Sequence, residues 1–236
     1  MSGTERATRP RARPGEGGLL REEILRAAEA LLDEAGDESA LTLRAVAART
    51  GVTTPAVYRH FEDKSALIAA VCIRVWESLG AAVRAAIESA GDPFQGLRHG
   101  AVAFMRFGIA HPVQYRLLMM GAPRPGDPRP EQEAATACLD YMAEAIEPCV
   151  KAGVLRGDPR RLALRALAAV HGCIALMIAH PYFPWPEDPD EFFDEVARTT
   201  GLGSAALGWL ESEPRKTAPS TGEYAQSFRD WSAALR

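Results

Sequence analysis

Apolar residues return every three or four positions along most of this chain, and no stretch alternates for long enough to make a strand. That rhythm predicts an all-α fold. It starts at Ile24, Ala27, Leu31, Leu32 and Ala35 and stops at Gly36, a residue suited to end a helix. Thr42 is placed to cap a short second helix carrying Leu43, Val46 and Ala47, which Gly51 ends. Thr53 or Thr54 caps a third, with Pro55 in its first turn, where proline is tolerated, and Phe61 closes it. Asp63 caps a long fourth helix with the stripe Leu67, Ile68, Val71, Val75, Leu79, Val83, Ile87. Helical segments follow at 93–110, 112–120, 130–153, 158–180 and 188–212, parted by His-Pro, Pro-Arg-Pro-Gly, Gly-Asp-Pro and Pro-Trp-Pro breaks. Pro148 should kink or split the segment 130–153.

Composition narrows the function classes. With 236 residues, 47% of them apolar, the chain can bury a sizeable core as one large or two modest domains. The net charge of −4 means that any nucleic-acid surface has to be local. Cys72, Cys138, Cys149 and Cys173 form no C-x-x-C pair, so neither a zinc site of that spacing nor a disulfide scaffold is expected. Residues 1–18 lack an apolar core and so do not read as a secretory signal. The run Leu162–Ala179 is interrupted by Arg165 and His171 and is about one turn short of the ~20 residues a bilayer needs, so it reads as a core or interface helix. These features predict a cytoplasmic protein without membrane partners. No G-x-S-x-G or H-E-x-x-H is present, and Gly201–Ala206, which imitates a dinucleotide fingerprint, follows a helical stretch rather than a strand. The expectation is no enzyme, no cofactor and no metal.

The informative stretch is residues 41–67, LTLRAVAARTGVTTPAVYRHFEDKSAL. Val46 and Ala47 on the first short helix, Val52 in the turn and Val57 and Phe61 on the second can pack inward together, with Ala47 small enough for close approach. That is a helix-turn-helix arrangement. Thr53, Thr54, Pro55, Tyr58, Arg59 and His60 are left outward or at the helix start. Hydroxyls donate to phosphate oxygens, helix N-termini favour phosphate, and proline and threonine methyls can touch a thymine methyl. Arg44, Arg49, Arg59 and Lys64 against Glu62 and Asp63 give the stretch a positive balance. A plain helical hairpin with a solvated face would also fit the composition.

The full string resembles the DNA-binding domain of TetR-family transcriptional regulators, with its Ala-x-x-x-Gly-Val, Tyr-x-His-Phe and Asp-Lys-x-x-Leu features in register over residues 20–70. The resemblance implies a contact from Arg44 on the supporting helix, a recognition helix starting at Thr53, Thr54 and Pro55, phosphate and groove contacts from Tyr58 and His60, and a phosphate clamp at Lys64. Arg59 is a candidate reader of guanine or a further phosphate contact. The implied layout is a disordered basic leader (1–18), a three-helix DNA-binding domain (19–66), a helical-bundle ligand-binding and dimerisation domain (67–212) and a C-terminal tail (213–236). In the tail Tyr224, Phe228, Trp231 and Leu235 could line one helical face. The leader, with Arg6, Arg9, Arg11 and Arg13, could enter a minor groove or add only salt-sensitive affinity.

The implied function is sequence-specific regulation of transcription, by default repression, from a palindromic double-stranded operator bound by a homodimer and released by a small apolar effector. A ligand-sensing or interaction protein of the same fold without operator binding is the alternative. Leu162, Leu167, Val170, Ile174 and Met177, with Phe192, Phe193, Val196, Leu207 and Leu210, are candidates for the dimer surface. Ala169-Val170-His171-Gly172 resembles a C-terminal subtype marked by Trp-His-Gly, with Val170 in the tryptophan's place. Candidate cavity-lining residues are Trp76, Phe104, Phe107, Tyr115, Met119, Tyr141, His171 and Met177.

Overall fold

The computed structural model describes residues 17–120, 130–210 and 220–234. Most of the leader and parts of the tail, including Leu235 and the side chains of Tyr224, Phe228 and Trp231, lie outside the described residues. Ten helices and no strand occur among the described residues: α1 (Gly17–Ala35), α2 (Leu43–Thr50), α3 (Thr54–Tyr58), α4 (Lys64–Glu88), α5 (Pro93–Ala110), α6 (Pro112–Met119), α7 (Pro130–Lys151), α8 (Pro159–Ala179), α9 (Pro189–Leu210) and α10 (Thr221–Ala234). Five of them open on proline, whose fixed φ and missing N–H suit a first helical position. Pro148 does not split α7, because it falls in the last turn; the chain bonds onward through Ala152 N–H to the Pro148 carbonyl at 2.9 Å. His111 and His180 stand at helix ends, as the N-cap of α6 and the C-cap of α8.

Two compact units emerge, one of residues 1–78 with 111–134, the other of 79–110 with 135–236. The first is built on Ile24, Leu25, Ala28 and Leu32 of α1, which bury their side chains with Val46, Val57, Phe61, Leu67 and Val71. Arg21 lies over the Phe61 ring at 5.3 Å. Arg74 of α4 holds α1 through Glu29 at 2.9 Å and through Glu22. α6 belongs to this unit: Tyr115 is fully buried, Gln114 Nε2 donates to Asp33, and Arg116 donates to the Gly36 carbonyl at 2.8 Å.

Gly51 carries φ +68°, a left-handed turn that only glycine enters without steric cost. Its N–H reaches back to the α2 carbonyls and reverses the chain toward α3. Gly51→Ala is expected to destabilise the protein by about 1–2 kcal/mol, read as a lower urea midpoint. An unchanged midpoint would contradict the left-handed turn.

In the second unit α5 and α9 run antiparallel. Phe94 lies opposite Gly201, Arg98 bonds Asp194, and Arg106 bonds Asp190 at 2.6 Å. Arg98 holds the Asp194 carboxyl below its usual range through their hydrogen bond. A Cβ at Gly100 would stand 2.7 Å from Ile87 Cγ1, so this crossing of α4 and α5 requires glycine. Ile146, Cys149, Leu155, Leu162 and Ala163 form a core cluster beneath α7 and α8. α4 and α8 are each long and apolar enough to cross a membrane, but the core helix of a soluble protein passes the same test.

The expected dimer surface needs correction. Leu162, Val170, Ile174 and Phe193 are buried in the chain's own core and cannot serve a partner. The other residues expected there are half-buried, and the large apolar side chains left exposed on these helices are Leu164 and Leu176 of α8 and Leu202 of α9.

Candidate nucleic-acid interface

The local sequence builds the interface in three steps. Thr42 caps α2 by accepting from Ala45 N–H at 3.0 Å, which fixes where the helix begins. Gly51 then turns the chain. α3 is only five residues long, too short to hold itself together, and is held by burial of Ala56 and Val57 and by Phe61 just beyond its end. Asp63 starts α4 by accepting from Ala66 N–H at 2.8 Å.

This packing leaves one face of the pair in solvent. Arg44, Thr53, Pro55, Tyr58 and Arg59 are exposed, while Thr54, His60 and Lys64 are half-buried. Tyr58 is 54% exposed, a large aromatic ring held outward on a rigid helix. Thr53 stands at the N-cap of α3 without a side-chain capping bond, so its hydroxyl is not committed to the helix start. The start of α3 has no acidic residue in its first turn, which preserves its attraction for anions. Chemically the face offers hydroxyls, a phenol, guanidiniums and apolar methyls, the combination that contacts phosphates and base edges.

Arg49 leaves the basic set. Both of its terminal nitrogens bond Glu34, at 2.6 and 2.7 Å, tying α2 to α1. The same hydrogen bond lowers the Glu34 pKa and raises that of Arg49. Lys64 is in the electrostatic reach of Asp37, whose carboxyl is lowered chiefly by the Ser39 N–H, with Arg116 and Lys64 adding to it.

The second unit contains a cavity of about 230 Å³ between the end of α4 and helices α5, α7, α8 and α9. Of the eight candidate lining residues, Phe104 lies on its wall. Trp76, Tyr115 and Met119 belong to the first unit, Trp76 and Tyr115 buried there. Tyr141 lines a shallower groove and stacks under Arg84 at 4.3 Å. Phe107, His171 and Met177 are half-buried in the second unit, and burial lowers the His171 pKa. The lining that aromatic positions do not reveal is made by small and aliphatic residues: Gly100, Ala101, Ala166, Ala197 and Gly201 face Val83, Ile87 and Leu97. A cluster of small residues on facing helices was the signal, since missing side-chain volume is what leaves a void.

Comparison with known proteins matches two regions of the chain. Residues 24–71 match the bacterial regulatory proteins of the tetR family, and residues 97–200 match the tetracyclin repressor-like C-terminal domain. The chain is 35% identical over 104 residues to the HTH-type transcriptional activator FasR of Mycolicibacterium smegmatis, a match over 43% of this chain and 47% of that protein. It thus spans less than half the length of that curated relative. A structure of a protein with unknown function from Rhodococcus sp. RHA1 superposes with a TM-score of 0.72 at 29% identity, covering 82% of this chain and 100% of that one. A transcriptional regulator of the TetR/AcrR family from Thermobifida fusca shares the fold, with a TM-score of 0.62 at 21% identity over 78% of this chain and 97% of its own. The two matched regions together cover the helix-turn-helix and most of the helical unit behind it, and the chain belongs to the TetR family of bacterial regulators.

Proposed function

We propose that this protein is a DNA-binding transcriptional regulator that acts in the cytoplasm as a homodimer on a palindromic operator and responds to a small molecule. One observation carries the reading: Tyr58, Thr53, Pro55 and Arg59 stand in solvent on a helix whose other side is locked by Val57 and Phe61. Arg44 reaches the same duplex from α2, and Lys64 and His60 hold phosphates beside the groove. One such helix pair reads one half-site, so two copies read a two-fold symmetric site. Leu164, Leu176 and Leu202 supply apolar surface for that second copy. The cavity takes the effector. Val83 and Ile87 of its wall lie on α4, the helix that begins at Lys64 beside the DNA-reading face, so one element serves both functions.

The test is selection of duplexes from random DNA by the full chain, followed by sedimentation. A two-fold symmetric consensus and a mass twice 25.5 kDa are expected. No enriched sequence, or a mass of one chain, contradicts the reading. Repression is the direction proposed, with release by effector. The activator named in the Mycolicibacterium relative favours the opposite sign, and a reporter gene placed behind the selected operator distinguishes them.

A further inference from the structure

The cavity's chemistry is divided between its sides. α7 and α8 supply only apolar groups, among them Met142, Ile146, Leu162 and Val170. The seam between α5 and α9 supplies the charge, with Arg98 and Arg198 both on the lining and no carboxylate there. Asp194, just outside the lining, is the acid that faces both guanidiniums: it bonds Arg98 directly and stands 3.9 Å from Arg198. Gln95 accepts from Arg98 at 3.3 Å and brings no charge. One carboxylate between two guanidiniums leaves an excess positive charge on the seam. Arg198 is 59% exposed, so the seam lies where solvent and a polar head group can both reach it. The volume of about 230 Å³ is below the ~300–1,000 Å³ of pockets for drug-sized ligands.

We infer that the effector is a small amphipathic anion, its apolar body against α7 and α8 and its acidic head on Arg198 and Arg98 at the α5–α9 seam. This rests on the effector role proposed for the cavity. A neutral apolar molecule would gain nothing from the excess guanidinium, and a cation would be repelled by it. Carboxylate, sulfonate and phosphate heads share the chemistry required, since each accepts the paired N–H groups of arginine.

The test compares decanoate, decanol and decylamine, alike in chain and different in head, by titration calorimetry against the full-length protein. Decanoate should bind about tenfold more tightly than decanol, the order of one charge-assisted hydrogen bond, and decylamine most weakly. Arg198→Gln should remove the advantage of decanoate over decanol. Ala166→Phe, which places a ring in the cavity, should weaken both. Equal binding of decanoate and decanol, or no binding of any of the three, overturns the inference. Decanoate binding that Ala166→Phe leaves untouched also overturns it, because the ligand would then sit elsewhere. Whether the native chain retains a selected duplex, measured without any ligand, decides the DNA-binding reading separately.

Discussion

Replacing Tyr58 and Arg59 together by alanine should lower affinity for the selected duplex by roughly 30-fold or more and leave the melting temperature nearly unchanged. Each contact to base or phosphate is worth about 1–3 kcal/mol, so two lost together reach that range. Stability should hold because both side chains are exposed and neither is part of the core. A phosphate contact and a base contact also separate by salt. If Arg59 reaches a phosphate, Arg59→Ala flattens the dependence of affinity on salt and weakens all sequences alike; if it reads guanine, the loss concentrates at one position of the site. Unchanged affinity in a mobility-shift titration would remove both residues from the interface.

Phe61→Ala should abolish DNA binding by another route. Phe61 is 3% exposed and sits where α3 returns to α4, with Arg21 over its ring. Truncating a buried phenylalanine costs about 3–5 kcal/mol, a large part of the ~5–15 kcal/mol that holds a typical protein folded. α3 depends on that packing more than a longer helix would, because five residues cannot sustain their own hydrogen-bond ladder. The expected result is a large fall in urea midpoint together with the loss of binding. Near-native stability in Phe61→Ala would mean that α3 is held by something other than this core.

The contrast between these variants explains what the sequence makes legible. Helix starts are legible because proline and capping residues act locally: Thr42 and Asp63 each accept a backbone N–H at the position the pattern predicts, and Asp158 does the same before α8. The outward face of the helix pair is legible because the inward residues, Val46, Ala47, Val57 and Phe61, sit at fixed spacings and are buried, which leaves the outward set determined. Arg49 counts toward the positive balance of the stretch, but its partner, Glu34, lies 15 residues upstream on another helix, a separation that periodicity does not report. The cavity was obscure for a related reason. Its walls are set by which small residues of four helices come to face one another, and aromatic residues such as Trp76 and Tyr115 went to the core of the other unit instead. Apolar stripes on α8 and α9 likewise gave no sign of which side would be buried by the chain itself.

The central claim is that α3 enters the major groove and does so twice per assembly. Hydroxyl-radical footprinting of the full chain on its selected duplex tests it most directly. Two protected patches on one face of the DNA, related by the site's two-fold axis and spaced by about 10 base pairs or a multiple of it, are predicted, and both should fade in the Tyr58→Ala variant. Protection that lacks the symmetry, or that persists unchanged without Tyr58, would contradict the account.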